Sequence, residues 1–205
     1  MTHPDEAMWS DPPADPLEVF VRWHEEADAC ETIKYAHAMC LSTVEDGLPE
    51  ARTVLLMLRD EAGFLFFTDA GSPKGRHLDR SPPVALTFYW GPLDRQVRIR
   101  GTVEKASDEV SDRCFSSRPR PSQITAWASR QSRPLESRAD LERRYERYRR
   151  KFEGDETVPR PPHWQAYRVL PRAIEFWQAR AKRLHDRLLY TRAGDEAWEI
   201  RRLDP

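Results

Sequence analysis

Near the C-terminus, Glu175-Phe176-Trp177-Gln178 and Arg183-Leu184-His185-Asp186-Arg187 bring an indole, an imidazole and two guanidinium groups into thirteen residues. If the second run is extended, Arg183, His185 and Arg187 point to one side, because side chains two apart share a strand face. A basic face of this kind suits an anion or an electron-rich ring. The plain alternative is the solvated edge strand of a charged surface. Three further polar clusters stand out. Arg52 precedes the apolar run Val54-Leu55-Leu56-Met57, where a buried guanidinium would call for an anion or solvent. Gly71-Ser72-Pro73-Lys74-Gly75 reads either as a phosphate-compatible loop or as an ordinary surface turn. Ser117-Arg118-Pro119-Arg120-Pro121-Ser122-Gln123 sets two arginines before a helix with Ser122 as its expected cap, an arrangement that can seat an anion. Gln96 and Gln131-Ser132 add neutral groups of the kind that read the edge of a flat heterocycle.

The elements that must position these groups are mainly strands. Residues 1–14 carry three prolines and few apolar anchors, and read as a flexible arm before a single domain over 15–205. Asp15 caps a helix with Pro16 in its first turn and Glu18 completing a capping box, and Leu17, Phe20, Trp23 or His24, and Ala27 recur at helical spacing. The period then changes. Ala38 to Val44 and Pro49 to Leu58 flank a Glu45-Asp46-Gly47 hairpin turn. Phe64 to Thr68, Val84 to Trp90 and Arg95 to Glu104 continue the strands, with a short segment around Lys74 to Leu78. Residues 107–153 return to helix, where Ser137 caps a segment with Leu141, Tyr145, Tyr148 and Phe152 on one stripe. After Pro159 to Pro162 come His163 to Leu170, Ala173 to Gln178, Leu188 to Arg192 and Ala197 to Arg202. Strands at this spacing, without alternating helices, predict a mainly β fold with flanking α-helices, an antiparallel barrel rather than a βαβ sheet.

Composition excludes several classes. The 33 Lys+Arg against 34 Asp+Glu leave a formal charge of −1, without the basic footprint of a nucleic-acid binder. The arginines of 143–150 are interspersed with Asp140, Glu142 and Glu146, as on a solvated face. No apolar run approaches the length of a membrane span, and Cys30, Cys40 and Cys114 form no CxxC pair, so a cytoplasmic protein with free thiols is expected. The six histidines show no HExxH or paired metal spacing, and GxSxG, GxGxxG and GxxxxGK[ST] are absent. Phosphate-compatible groups and ring-edge groups spread over a β-barrel fit a phosphorylated flat cofactor such as FMN better than a metal.

Arg95-Gln96-Val97, Ser117-Arg118-Pro119-Arg120 with Ser122-Gln123-Ile124 and Ala126-Trp127, Gln131-Ser132, Glu175-Phe176-Trp177-Gln178 and Arg183-Leu184-His185-Asp186-Arg187 together carry a resemblance. From Pro13 to Pro205 the chain resembles the FMN-dependent pyridoxamine 5'-phosphate oxidase family. The resemblance implies an FMN-binding split-barrel homodimer with flavin sites at the subunit interface, a small-molecule substrate that gives hydride to the flavin, and O2 as acceptor. Position by position it implies Arg52 and Lys74 as FMN-phosphate ligands, Val54, Leu55, Phe67 and Thr68 as flavin lining, and Gln96, Gln131, Ser132, Trp177 and Arg187 as further FMN contacts. Arg118 and Ser122 match substrate-phosphate ligands, and Arg183 with His185 match the pair that holds substrate over the flavin. Met57 and Cys114 depart from the pattern, standing where the family has a lysine and a tyrosine for the substrate phosphate, and the N-terminal Arg-x-x-Tyr motif is missing. These departures make an oxidase with an altered substrate site the first expectation, of the type that aromatises reduced rings in phenazine biosynthesis. Oxidation of pyridoxine or pyridoxamine 5'-phosphate is the alternative, and a flavin-binding protein without turnover is a third.

Overall fold

The computed structural model describes residues 8–60, 62–194 and 197–205. Among the described residues, nine strands form one antiparallel sheet. β1 (Ala38–Glu45) and β2 (Leu48–Leu55) make the hairpin around Asp46 and Gly47, which take the left-handed φ values 51° and 81° that such a turn needs. β3 (Leu58–Asp60) and β4 (Gly63–Asp69) follow, then β5 (Pro83–Trp90), β6 (Arg95–Lys105), β7 (Trp164–Gln178), β8 (Asp186–Ala193) and β9 (Ala197–Arg202). The strand order is β2-β1-β5-β6-β7-β4-β3, with β8 added to β7 and β9 to β8.

Connectivity makes this sheet curl. Its two ends, β2 and β3, are consecutive in the chain with only Leu56 and Met57 between them, so they lie within about 11 Å of each other at that point. Leu56 N–H donates to His37 O at 2.8 Å and Met57 N–H to Leu65 O at 2.9 Å, tying the link to both sides of the opening. The result is a split antiparallel barrel, with a seam between β2 and β4.

β7 is its spine. β6 pairs along one edge of it, while the other edge is shared, β4 on Trp164 to Val169 and β8 on Ala173 to Gln178. The handover falls at Pro171, which has no N–H to give to a ladder, and beside it the β6–β7 register shifts between Arg100 and Gly101. Gly101 is required there, because a Cβ would stand 2.1 Å from Leu170 O. Two expected strands, His163 to Leu170 and Ala173 to Gln178, are therefore one bulged strand, whereas the single expected strand Pro49 to Leu58 is broken in two.

Inward residues alternate as a two-residue period requires: Val84, Leu86, Phe88 and Trp90 on β5 and Val97, Ile99 and Val103 on β6 are buried. Helix α1 (Pro16–Ala29), capped by Asp15 through Leu17 N–H, closes the barrel with Phe20 edge-on to Phe64 at 4.9 Å and Phe88 at 5.2 Å. Trp23 meets Phe176 in the same way at 5.3 Å. Residues 8–14 differ from the flexible arm expected of 1–14: Met8 and Trp9 are buried, and Tyr190 Oη donates to Pro13 O at 3.0 Å. Residues 1–7 lie outside the described residues.

Two of the remaining helices border the seam. α2 (Pro73–Arg80) begins at Ser72, whose hydroxyl accepts from Gly75 N–H, so Gly71 to Gly75 is a capped helix start rather than a surface turn. α3 (Asp108–Ser116) is followed by α4 (Arg120–Ala128), which starts after Pro119 and has no side-chain cap; Ser122 sits inside its first turn instead of capping it. α5 (Arg138–Lys151) is capped by Ser137 as expected. No helix among the described residues is long and apolar enough to cross a membrane.

Candidate active site

A cavity of about 330 Å³ opens at the seam between β2, β4, α2 and α4. Its walls bring together Val54, Leu55, Phe67, Thr68, Lys74 and Gln131 from the expected cofactor set, and Met57 and Arg118 from the expected substrate set. Each is delivered by a structural device. Val54 and Leu55 end β2 and Met57 lies in the link after it; Phe67 and Thr68 end β4; Lys74 projects from the first turn of α2; Gln131 follows α4 next to Ser132, which takes a left-handed φ of 64°.

At one end sits a compact donor cradle. Lys74 Nζ donates to Thr68 Oγ1 at 2.9 Å and to Gln131 Oε1 at 2.5 Å, and Thr68 Oγ1 donates to the same Gln131 oxygen at 2.9 Å. Lys74 is only 9% exposed, and its pKa is lowered from the ordinary lysine value by burial first and by the nearby Arg52 charge second. Arg52 itself is held by Thr43 Oγ1 at 2.7 Å, Leu41 O at 3.3 Å and the Glu50 carboxylate at 2.9 Å. Two cations placed close together in a nearly dry site make a seat for an anion.

Arg118 forms the other pole. Its guanidinium lies 5.2 Å from the centre of the Trp164 ring, which stacks on Phe67 at 4.4 Å and 8°. Burial lowers its pKa, and its Nη1 is buried with no hydrogen-bond partner. A half-buried guanidinium whose buried Nη1 has an unused donor in a cavity wall is a demand for an acceptor, most strongly an anionic one. The neighbouring Arg120 is spent on structure, donating to Phe152 O. Ser122 is half-buried in α4, and Cys114 is half-buried in α3 with its thiol pKa raised by burial; neither lines this cavity. Met57, 47% exposed, contributes an apolar wall.

The C-terminal group lies elsewhere. Gln96 pairs with Trp177 across β6 and β7, and Trp177 pairs with Arg187 across β7 and β8. Arg187 donates Nε and Nη2 to the buried Glu175 carboxylate at 3.0 and 2.9 Å and Nη1 to Asp204 O at 2.7 Å. Arg183 and His185 do not continue the Arg187 strand face, because β8 starts at Asp186. Arg183 sits in a tight turn at φ 63°, and the His185 ring lies 4.8 Å from that of Trp177. Thr68 is bonded opposite Gln165 on β7, twelve residues from Trp177, which is about 40 Å of strand. Within one chain the phosphate-type cradle and the indole-imidazole group therefore sit at opposite ends of β7.

Several wall residues were not expected at the site from the sequence. Trp164, His163, Thr125 and Ser129 line the cavity, with Ala126 of the Ala126-Trp127 signature, because β7 and α4 converge there. His163 Nε2 lies 3.1 Å from Ala126 O, which joins the two elements. Among the described residues, no three His, Cys, Asp or Glu side chains are grouped to hold a metal ion.

A split antiparallel barrel with anion-seeking cations at its seam defines the class of the small-ligand split-barrel proteins. Residues 25–152 match the family described as pyridoxamine 5'-phosphate oxidase, and residues 164–205 match the region described as pyridoxine 5'-phosphate oxidase C-terminal dimerisation region. The chain belongs to the pyridoxamine 5'-phosphate oxidase family, whose members are oxidoreductases. It is 54% identical over 192 residues to the pyridoxine/pyridoxamine 5'-phosphate oxidase of Rubrobacter xylanophilus, covering 93% of this chain and 87% of that one. The enzyme of the same name from Burkholderia lata is 52% identical, over 93% and 89%. Among solved structures, PhzG from Burkholderia lata 383 in complex with tetrahydrophenazine-1-carboxylic acid superposes with a TM-score of 0.90 at 30% identity, covering 100% of this chain and 98% of that one. A pyridoxamine 5'-phosphate oxidase-related, FMN binding protein from Nostoc punctiforme shares the fold, with a TM-score of 0.74 at 16% identity over 94% and 100%.

Proposed function

We propose that this protein is an FMN-dependent oxidase that removes hydride from a flat ring carrying an anionic group, with O2 as the acceptor. The observation that carries the proposal is the pairing, in one cavity, of the Lys74–Thr68–Gln131 cradle with the unpartnered Arg118 guanidinium. Two anion seats on either side of an apolar strip fit a phosphorylated cofactor and a separately anchored substrate. FMN, when bound, supplies a flavin that accepts hydride and passes electrons to O2. The chain supplies the rest. Lys74 and Arg52 bind the phosphate, Val54, Leu55 and Phe67 exclude water, and Arg118 fixes the anionic end of the substrate.

The separation of the two residue groups along β7 supports a homodimer in which Gln96, Trp177, Arg183, His185 and Arg187 of a second copy complete the site. The exposed edge of β2 supports it too, since Leu48 is 70% and Leu55 49% exposed on a strand that, among the described residues, pairs only with β1.

Pyridoxine or pyridoxamine 5'-phosphate is the first substrate proposed, because relatives at about half identity bear that name and Arg118 offers a seat for a phosphate. A reduced tricyclic carboxylate is the second reading, favoured by the apolar Met57 wall; this exchanges the order in which the residues alone placed the two. The test is anaerobic mixing of the purified flavoprotein with each compound. Flavin bleaching by the B6 phosphates is expected; bleaching by a dihydrophenazine carboxylate alone would exchange the order back. A protein purified without flavin and unable to bind FMN would end the oxidase reading.

A further inference from the structure

The turn between β7 and β8 is closed twice by one residue. The main-chain N–H of Arg180 donates to His185 Nδ1 at 3.1 Å, and Arg180 Nε donates to Asp186 Oδ2 at 2.6 Å. Between these contacts Lys182 and Arg183 take φ values of 57° and 63°, backbone that side-chain-bearing residues hold only when their surroundings impose it. On its other side the His185 ring rests against Trp177, centroids 4.8 Å apart.

A main-chain amide can only donate, so Nδ1 must accept, and an accepting ring nitrogen carries no proton. In the neutral imidazole the proton then sits on Nε2. We infer that the Arg180 amide and the Arg180–Asp186 ion pair hold His185 as the Nε2–H tautomer, so that it meets a bound ring as a hydrogen-bond donor and takes no proton from it. The inference rests on the proposed reading in placing His185 beside substrate. His185 would then orient an acceptor oxygen or nitrogen of the ring; in the proposed reaction the C–H hydride would go to the flavin, and the proton lost with it would go to solvent rather than to the imidazole. Asp186 and Arg180 are positioning residues; they act through His185.

The test is long-range 1H–15N correlation of the flavin-loaded protein labelled at histidine, with His185→Gln to assign the ring. An unprotonated Nδ1 and a protonated Nε2 are expected at neutral pH; a proton on Nδ1, or an even mixture, would overturn the inference. Asp186→Asn should mix the tautomers and raise substrate KM about three-fold with kcat nearly unchanged, as loss of a half-exposed ion pair implies, and Asp186→Glu should restore both. Arg180→Ala removes the same ion pair from its other end, retains the amide, and must move the spectrum in the same direction. Spectra unaltered in both variants would remove the ion pair from the device. If the tautomer is as inferred and no compound bleaches the flavin, the oxidase reading fails and the tautomer assignment stands.

Discussion

Lys74 holds its charge in a place that disfavours it. Burial and the neighbouring Arg52 lower its pKa from 10.5, so between its folded value and 10.5 the unfolded chain binds more protons and stability rises with pH. Below the folded value the amine is charged in both states and its burial simply costs stability. Lys74→Met should therefore raise the melting temperature of the flavin-free protein by about 2–4 °C, corresponding to about 1 kcal/mol in a chain of this size, and should flatten that alkaline rise in thermal scans. The same change should weaken FMN binding by at least about 30-fold, the equivalent of roughly 2 kcal/mol of charge-assisted bonding, measured by quenching of flavin fluorescence. Glu50 has the opposite sign. Its carboxylate occupies Arg52 Nη2 at 2.9 Å from a half-exposed position, and Glu50→Gln should tighten FMN binding by about two- to five-fold in the same titration. At this scale much of the site was legible: Arg52, Lys74 and Arg118 announced themselves as cations set among apolar or turn residues. Trp164 did not, because a tryptophan after Pro161-Pro162-His163 looks like any other core residue until α4 and β7 are seen to converge. Nor did the partnership of Arg187 with Glu175, which depends on the β7–β8 register.

Elements were read correctly where one period dominated and misread where tertiary pairing overrode it. The α1 cap, the Asp46-Gly47 hairpin and the Ser137 cap are local chemistry, and each appears where the residues place it. The break at Leu56–Met57 is not local. That run is apolar throughout, and only the closure of the barrel decides that its two halves belong to opposite edges. Pro171 misled in the other direction, since a proline that normally ends a strand is here absorbed by a bulge between two partners. Gly101→Ala tests the bulge. With Leu170 O 2.1 Å from the new Cβ, we expect a loss of about 3 kcal/mol or more, seen as a lower denaturant midpoint with the fold retained. The N-terminal segment offers a second test. Trp9 packs on Trp23 at 6.2 Å, and the Tyr190 phenol, its pKa pushed up to about 12 by burial, stays protonated to hold Pro13. Trp9→Ala should destabilise the protein by about 3 kcal/mol, measurable by the same unfolding curves.

At the scale of the molecule, the proposed site is built from opposite ends of β7 in two copies, which predicts complementation. Lys74→Met spoils the cradle and Arg187→Ala spoils the ring wall. Unfolded, mixed and refolded together, the two inactive variants should recover about a quarter of the wild-type sites, because half the dimers are mixed and each contains one intact pair of halves. No recovery, with mixed dimers demonstrated by mass, would place both halves in one subunit.

The position of β7 in the chain has one more effect. It is the partner of β4, β6 and β8, yet it is made after residue 163, so a growing chain exposes the edges of β4 and β6 with nothing to pair them. Assembly of the barrel must wait until β7 has left the ribosome, and these long-range pairings make it slow once it begins. Nascent chains stalled with residues 1–160 outside the tunnel should stay protease-sensitive and need chaperone cover, whereas chains released to residue 205 become resistant. Binding of the proposed flavin would on this account follow the pairing of β7.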